Sequence, residues 1–163
     1  MGKPAARVTD NVSHPIPPVL TGIGSLNVFI GKLPAWRGVP VGVARGLQTA
    51  KKASDAVVKT AEAATKAAGT SPLAPAALAA ETAVKATAAA TMGSTIASSA
   101  VGADIHVCLT PSPVPHGGGV VIDGSKTVLI NGLPACRQGD TVLEPVGPPN
   151  KIVRGCFTVL IGN

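Results

Sequence analysis

The sequence predicts a mainly β fold: a small repeat domain interrupted by a helical hairpin. Two observations carry this. The two ends of the chain share an internal repeat of short apolar strands, and an Ala-rich stretch of different texture separates them. A third agrees, since 19 Gly and 15 Pro among 163 residues favour many turns.

The flanks come first. Residues 1–44 and 103–163 are rich in Pro, Gly and Val, and they form one discontinuous β domain. Val28-Phe29-Ile30-Gly31-Lys32-Leu33-Pro34-Ala35-Trp36-Arg37 matches Val128-Leu129-Ile130-Asn131-Gly132-Leu133-Pro134-Ala135-Cys136-Arg137. The N-terminus carries Pro4-Ala5-Ala6-Arg7 with no strand before it. The C-terminus carries Val159-Leu160-Ile161 with no Pro-Ala-x-Arg after it. Joined, the termini make a third copy, which predicts a closed arrangement of approximate threefold symmetry. Closure also removes an exposed sheet edge. Asp10 follows Arg7 at the offset at which Asp140 follows Arg137, whereas Pro40 holds that place in the middle copy.

Residues 45–102 read as an insertion. Ala, Lys, Glu and Leu favour helix. Asp55–Lys59, Glu62–Lys66 and Glu81–Lys85 are i,i+4 pairs in the favourable order. Gly69, Pro72 and Pro75 break the run, so the expectation is two helices, about 46–68 and 75–100, in an antiparallel hairpin. A partly ordered low-complexity stalk is the alternative. The uncharged stretch from Ala86 to Ala103 is too rich in Ala, Thr and Ser to read as a membrane span.

Composition excludes several functions. Aromatics are 2% and Tyr is absent, so a base-stacking nucleic-acid surface is not expected. The N-terminus lacks the apolar core of a signal peptide, and Ala6 spoils a myristoylation signal. Three unevenly spaced Cys make no disulfide framework, which fits synthesis in a reducing compartment. There is no P-loop, no paired carboxylates, and no G-x-S-x-G elbow to go with His116-Gly117-Gly118-Gly119. The five Lys and one Arg of residues 45–102, against three acids, give a mildly basic helical face that is read as solvated, with a membrane or nucleic-acid surface as the alternative.

The three His of the chain, His14, His106 and His116, lie outside the insertion on connections between copies, as does Cys156. They are expected to gather at one end of the fold. Three imidazoles and one thiolate suit a closed tetrahedral zinc site, structural because no position stays open for water. A β domain of about 100 residues with almost no aromatics gains from such a staple. Cys108 competes as the thiol, because it shares a strand face with His106. Three surface His and a buried free Cys are the plainer alternative. Cys136 replaces Trp36 in the repeat and reads as packing.

Pro4-Ala5-Ala6-Arg7, Pro34-Ala35-Trp36-Arg37 and Pro134-Ala135-Cys136-Arg137, together with His14, His106, His116 and Cys156, resemble the PAAR-repeat proteins. These are the tips of type VI secretion and related contractile injection spikes. The resemblance covers the flanks and not residues 45–102. It implies a short conical β domain with its base on a trimeric VgrG-type spike. Its apex would hold one structural zinc, bound by His14, His106, His116 and Cys156. It implies a non-enzymatic piercing tip, made in the bacterial cytoplasm and delivered out of the cell, that meets a target membrane transiently. The insertion is then free to recruit effector cargo or a chaperone. A small secreted zinc-dependent effector or hydrolase with a membrane-active hairpin is the alternative.

Overall fold

The computed structural model describes residues 2–16, 18–111 and 114–162. In chain order the elements are β1 (Lys3–Ala5), β2 (Phe29–Ile30), β3 (Leu33–Pro34), α1 (Val41–Ala68), α2 (Ala74–Ser99), β4 (Ile105–Pro111), β5 (Pro115–Val121), β6 (Leu129–Ile130), β7 (Leu133–Pro134), β8 (Thr141–Leu143), β9 (Asn150–Lys151) and β10 (Cys156–Ile161). This is the expected β-rich repeat domain with a two-helix insertion.

The Pro-Ala-x-Arg motif closes a ring. The amide of Ala6 donates to the carbonyl of Cys136 at 2.8 Å, Cys136 to Trp36 at 3.0 Å, and Trp36 back to Ala6 at 3.0 Å. The Pro carbonyl of each copy serves the next: Val8 donates to Pro34, Gly38 to Pro134 and Gln138 to Pro4. Each motif Ala is fully buried where the three copies meet, so a larger side chain has no room. The termini complete the ring as the split repeat predicts, with β1 antiparallel to β10 and Lys3, Pro4 and Ala5 opposite Ile161, Leu160 and Cys156.

The motif Arg holds an Asp in every copy. Arg7 donates from its backbone amide and its guanidinium to Asp10, and Arg137 does the same to Asp140. In the middle copy the acid is Asp104, from beyond the helices. The Arg37 amide donates to Asp104 Oδ2 at 2.8 Å, and its Nη2 lies 2.7 Å from Oδ1. The turn hydrogen bond recurs as well, from the amide of Asp10, Asp104 or Asp140 to the carbonyl of its Arg. Pro40 is therefore not the equivalent of Asp10. The helices are spliced into the Arg-x-x-Asp turn of the second copy, which closes with its usual bonds across the gap.

A second glycine pattern follows the repeat. Gly24, Gly124 and Gly155 precede the three apolar strands, and each faces the motif of a copy. A Cβ would lie 2.8 Å from Pro34 Cβ at Gly24, 2.9 Å from Pro134 Cβ at Gly124, and 2.8 Å from the carbonyls of Pro4 and Ala5 at Gly155. Only glycine permits that approach.

Helix α1 starts at Val41, directly after Pro40, earlier than position 46. Gly42 and Gly46 weigh against helix there at about 1 kcal/mol each, but Ala44 and Leu47 become buried. Tertiary burial overrides the local preference. The hairpin register is fixed by Lys85, whose Nζ lies 2.8 Å from both Glu62 and Glu81. The root of the hairpin shares one core with the β part: Leu47, Met92 and Ile96 join Val39, Val120, Leu133 and Leu143. Among the described residues, no helix is long and apolar enough to cross a membrane.

Candidate metal centre

Counting four residues on from each paired Asp gives one side chain per copy: His14 after Asp10, Cys108 after Asp104, and Glu144 after Asp140. These three are brought together, with ligand atoms all within 4.8 Å of one another and all three residues buried. Successive layers lead to them. Ala5, Ala35 and Ala135 pack with Ile30, Ile130 and Ile161. Ala6, Trp36 and Cys136 follow, with Val12 and Val142. His106 stands at the repeat position of Val12 and Val142, two residues after its Asp. In extended chain, positions two apart share a face, which sets His106 and Cys108 of β4 on the same side.

His116 comes from β5, which pairs with β4 and β8. It donates from Nδ1 to, or shares a proton with, Glu144 Oε2 at 2.8 Å. Glu144 is fully buried. Its Oε1 lies 3.4 Å from His14 Nε2 and 4.0 Å from His106 Nε2. The two Nε2 atoms of His14 and His106 are 2.5 Å apart. On the far side of His106, Nδ1 lies 3.5 Å from the Thr21 hydroxyl, which also accepts the Val107 amide.

Burial dominates the electrostatics. It pushes the His106 imidazole down to about 4, with His14 adding to the shift. It also lowers His14, with His116 reinforcing and Glu144 opposing. Both rings are therefore neutral near pH 7 and offer lone pairs. Burial raises the Cys108 thiol, so thiolate there calls for a cation.

This donor set fits a metal ion. Glu144 Oε1, His14 Nδ1 and His116 Nε2 are buried with no hydrogen-bond partner. A fully buried carboxyl group beside the lowered imidazoles of His14 and His106 is well suited to a cation. Two imidazole nitrogens at 2.5 Å can share one proton at most, so they converge on a common point. Nitrogen, sulfur and oxygen donors in one pocket suit zinc.

Of the four residues read as ligands, the structure brings together His14, His106 and His116 and leaves Cys156 out. Cys156 belongs to the core cluster at the ring of motif alanines. Its Sγ lies 3.2 Å from the Thr158 hydroxyl, which holds the thiol below its usual range, with Arg7 assisting. The repeat explains this placement. Cys156 is the third copy of Ser25 and Ser125, each preceded by Gly and each five residues before the buried Ile. Ser25 Oγ donates to Asn131 Oδ1 at 2.7 Å and Ser125 Oγ to the Gly162 carbonyl at 2.6 Å, each reaching the next copy. Cys156 faces Gly31 in the same way, where a Cβ would lie 3.3 Å from Sγ. Cys108 is the thiol of the cluster. Glu144 was missed because the middle Asp is displaced by the insertion. Once Asp104 is aligned with Asp10 and Asp140, the four-residue offset finds Glu144 and Cys108 together.

The family model described as PAAR motif matches residues 111–163 of the 163-residue chain. No curated protein and no solved structure matches. The matched segment holds the Pro134-Ala135-Cys136-Arg137 motif, Glu144 and the strand that closes the ring. The family is a structural one, of tips for spikes delivered out of the cell. The match over residues 111–163, with three motif copies bonded in a ring, is consistent with a PAAR-repeat protein and supports a role related to the spike tip of type VI secretion.

Proposed function

We propose that the chain caps a trimeric VgrG-type spike as its piercing tip, with the ring of motif copies toward the spike and a zinc-stabilised apex away from it. One observation carries the docking half of this reading. Phe29, Leu129 and Leu160 hold the same position in the three copies, and they are 59%, 57% and 60% exposed. The Ile after each is buried, at 8%, 7% and 6%. Three exposed apolar side chains related by the repeat match the symmetry of a trimer, and apolar surface of this kind is suited to a partner. Leu26 and Phe157, at another repeat position, are also exposed.

At the apex, the pocket of His14, His106, His116, Cys108 and Glu144 holds the zinc. Zinc there ties together strands from all three copies and adds binding free energy to folding. Its closed donor set makes it a structural staple, not a hydrolytic centre. The reading gives cargo recruitment to the hairpin, where a groove of 670 Å³ between the helices is lined by Ala53, Val57, Val84, Ala88, Thr91 and Met92.

The test is co-purification with a trimeric VgrG-type spike. Replacing Phe29, Leu129 and Leu160 together by Asp should leave zinc content unchanged and weaken spike binding more than a hundredfold. Single replacements should cost about tenfold each. A triple variant that binds like the unaltered chain overturns the docking surface.

A further inference from the structure

We propose that the outer face of α1 docks a partner helix carrying acidic side chains at seven-residue spacing, along the row Arg45, Lys52, Lys59 and Lys66. This goes beyond the tip reading and depends on neither the spike nor the zinc. Charge is its first basis. The hairpin holds three acids, Asp55, Glu62 and Glu81. Asp55 and Glu62 stand four residues before Lys59 and Lys66, the spacing of helix ion pairs. The fold turns them elsewhere. Asp55 pairs with Lys51, whose Nζ also meets the Gly147 carbonyl. Glu62 and Glu81 both lie 2.8 Å from Lys85. Helix α2 adds no exposed charge, because Glu81 and Lys85 are its only charged residues and both are buried. Arg45, Lys52, Lys59 and Lys66 are exposed and have no ion pair among the described residues. A row of like charges without counter-charges is complementary to an anionic partner.

Spacing says what kind of partner. The four cations recur at every seventh residue, and Ala44, Lys51 and Val58 on the buried face keep the same period. Each step rises about 10 Å along the helix. A helix laid beside α1 can meet every member of such a row, as flanking charges do in coiled coils. Next to the row run Thr49, Ala53, Ala56, Thr60, Ala63 and Ala67, all exposed, at alternating steps of four and three. That is the spacing of a helix-packing seam. Thr49 and Thr60 donate their hydroxyls to the carbonyls of Arg45 and Ala56 in their own helix, so their polar atoms are already satisfied. Small side chains let a second backbone come close. Insertion into lipid calls for large apolar groups, and this seam has none. It is a different face from the groove between the helices, with only Ala53 in common.

The probe is a synthetic peptide of about four heptads, with Leu and Ala at its seam and Glu beside it at every seventh position. A second peptide has the same composition with its Glu residues moved off that register. Fluorescence anisotropy on the full chain compares the two and needs no variant. The registered peptide should bind about tenfold more tightly than the shuffled one, as expected from a few exposed ion pairs acting together. The triple variant Lys52→Glu, Lys59→Glu, Lys66→Glu should lose that preference and should bind a peptide with Lys in place of Glu, with an unchanged thermal melt. Equal binding of the two Glu peptides overturns the proposal, as does a triple variant that binds them like the unaltered chain. Sedimentation with phosphatidylglycerol vesicles is the remaining arm. Uptake that the triple variant loses, without binding of the registered peptide, would make the row a lipid contact and overturn the helix docking.

Discussion

Cys108 and Cys156 are both buried thiols, yet repeat position gives them different tasks. Cys108 faces the His cluster, whereas Cys156 does the work of Ser25 and Ser125 at the motif ring. Cys156→Ser should therefore keep the zinc and stay within about 1 kcal/mol of the unaltered stability, since Ser is what the other copies use. Cys108→Ser should lose most of the metal. Zinc analysis and thermal melts of the two variants check this, and metal loss in Cys156→Ser alone would reverse the assignment. His106 adds a pH signature. Its folded pKa of about 4 lies below the ordinary 6.5, with His14 and Glu144 facing it. Between those values the unfolded chain takes up a proton that the folded chain refuses. Stability therefore falls as pH drops from 6.5 to 4, by up to about 3 kcal/mol in protein stripped of metal. Urea midpoints at pH 7.5 and 4.5 measure it, and a flat profile would show that His106 is not held neutral.

At the scale of elements, the hairpin has two parts. Leu47, Met92 and Ile96 are sealed against Val120 and Leu143, and Lys51 Nζ reaches the Gly147 carbonyl at 3.0 Å. A deletion joining Val43 to Gly102 would remove this root. That cut would uncover Val120 and Leu143 and should cost several kcal/mol, in the range of large core truncations. The outer part is different. Glu62 and Glu81 already meet through Lys85, so Ala63–Ala80 can be removed and replaced by a short glycine turn. That variant should keep its zinc and melt within a few degrees of the full chain. Thermal unfolding of both deletions decides the matter: equal stability of the two would show that the shared core contributes nothing.

For the whole molecule, closure is the defining feature. Copy three is split between β1 and β10, and the ring of hydrogen bonds passes through Ala6, Trp36 and Cys136. A chain ending at Phe157 loses Val159, Leu160 and Ile161, hence one side of the ring, the buried Ile of the third copy and one third of the proposed spike surface. It should fail to fold cooperatively and should not retain zinc, although only the terminus has been trimmed. Circular dichroism and zinc analysis test this, and a folded, metal-loaded truncation would contradict closure. The same closure joins base to apex, because each copy runs from an exposed apolar residue through Pro-Ala-x-Arg and Asp to a donor at the far end.

Much was legible in the sequence because the fold is built on local repetition. Pro-Ala-x-Arg is short and contiguous, so the three copies, the split at the termini and the β-rich class could be read directly. The change in composition marked the helices, because helix preference is a local property. The three His were legible as a set because they are the only His of the chain. What failed to show was whatever depended on pairing across the insertion. Asp104 is far from Arg37 in sequence but 2.7 Å from it in space, so its role, and with it the offset to Cys108 and Glu144, came only from the structure. The same holds for the hairpin root, whose burial against β5 no local pattern announces. The choice between Cys108 and Cys156 was likewise tertiary: both sit beside strand residues, and only the register of β10 against β1 turns Cys156 toward the motif ring. Sequence determined the repeat, its closure and the set of three His. Three-dimensional pairing decided which donors meet, because a site made by three copies of a motif depends on their alignment in space, and an insertion shifts that alignment along the chain without changing it in the fold.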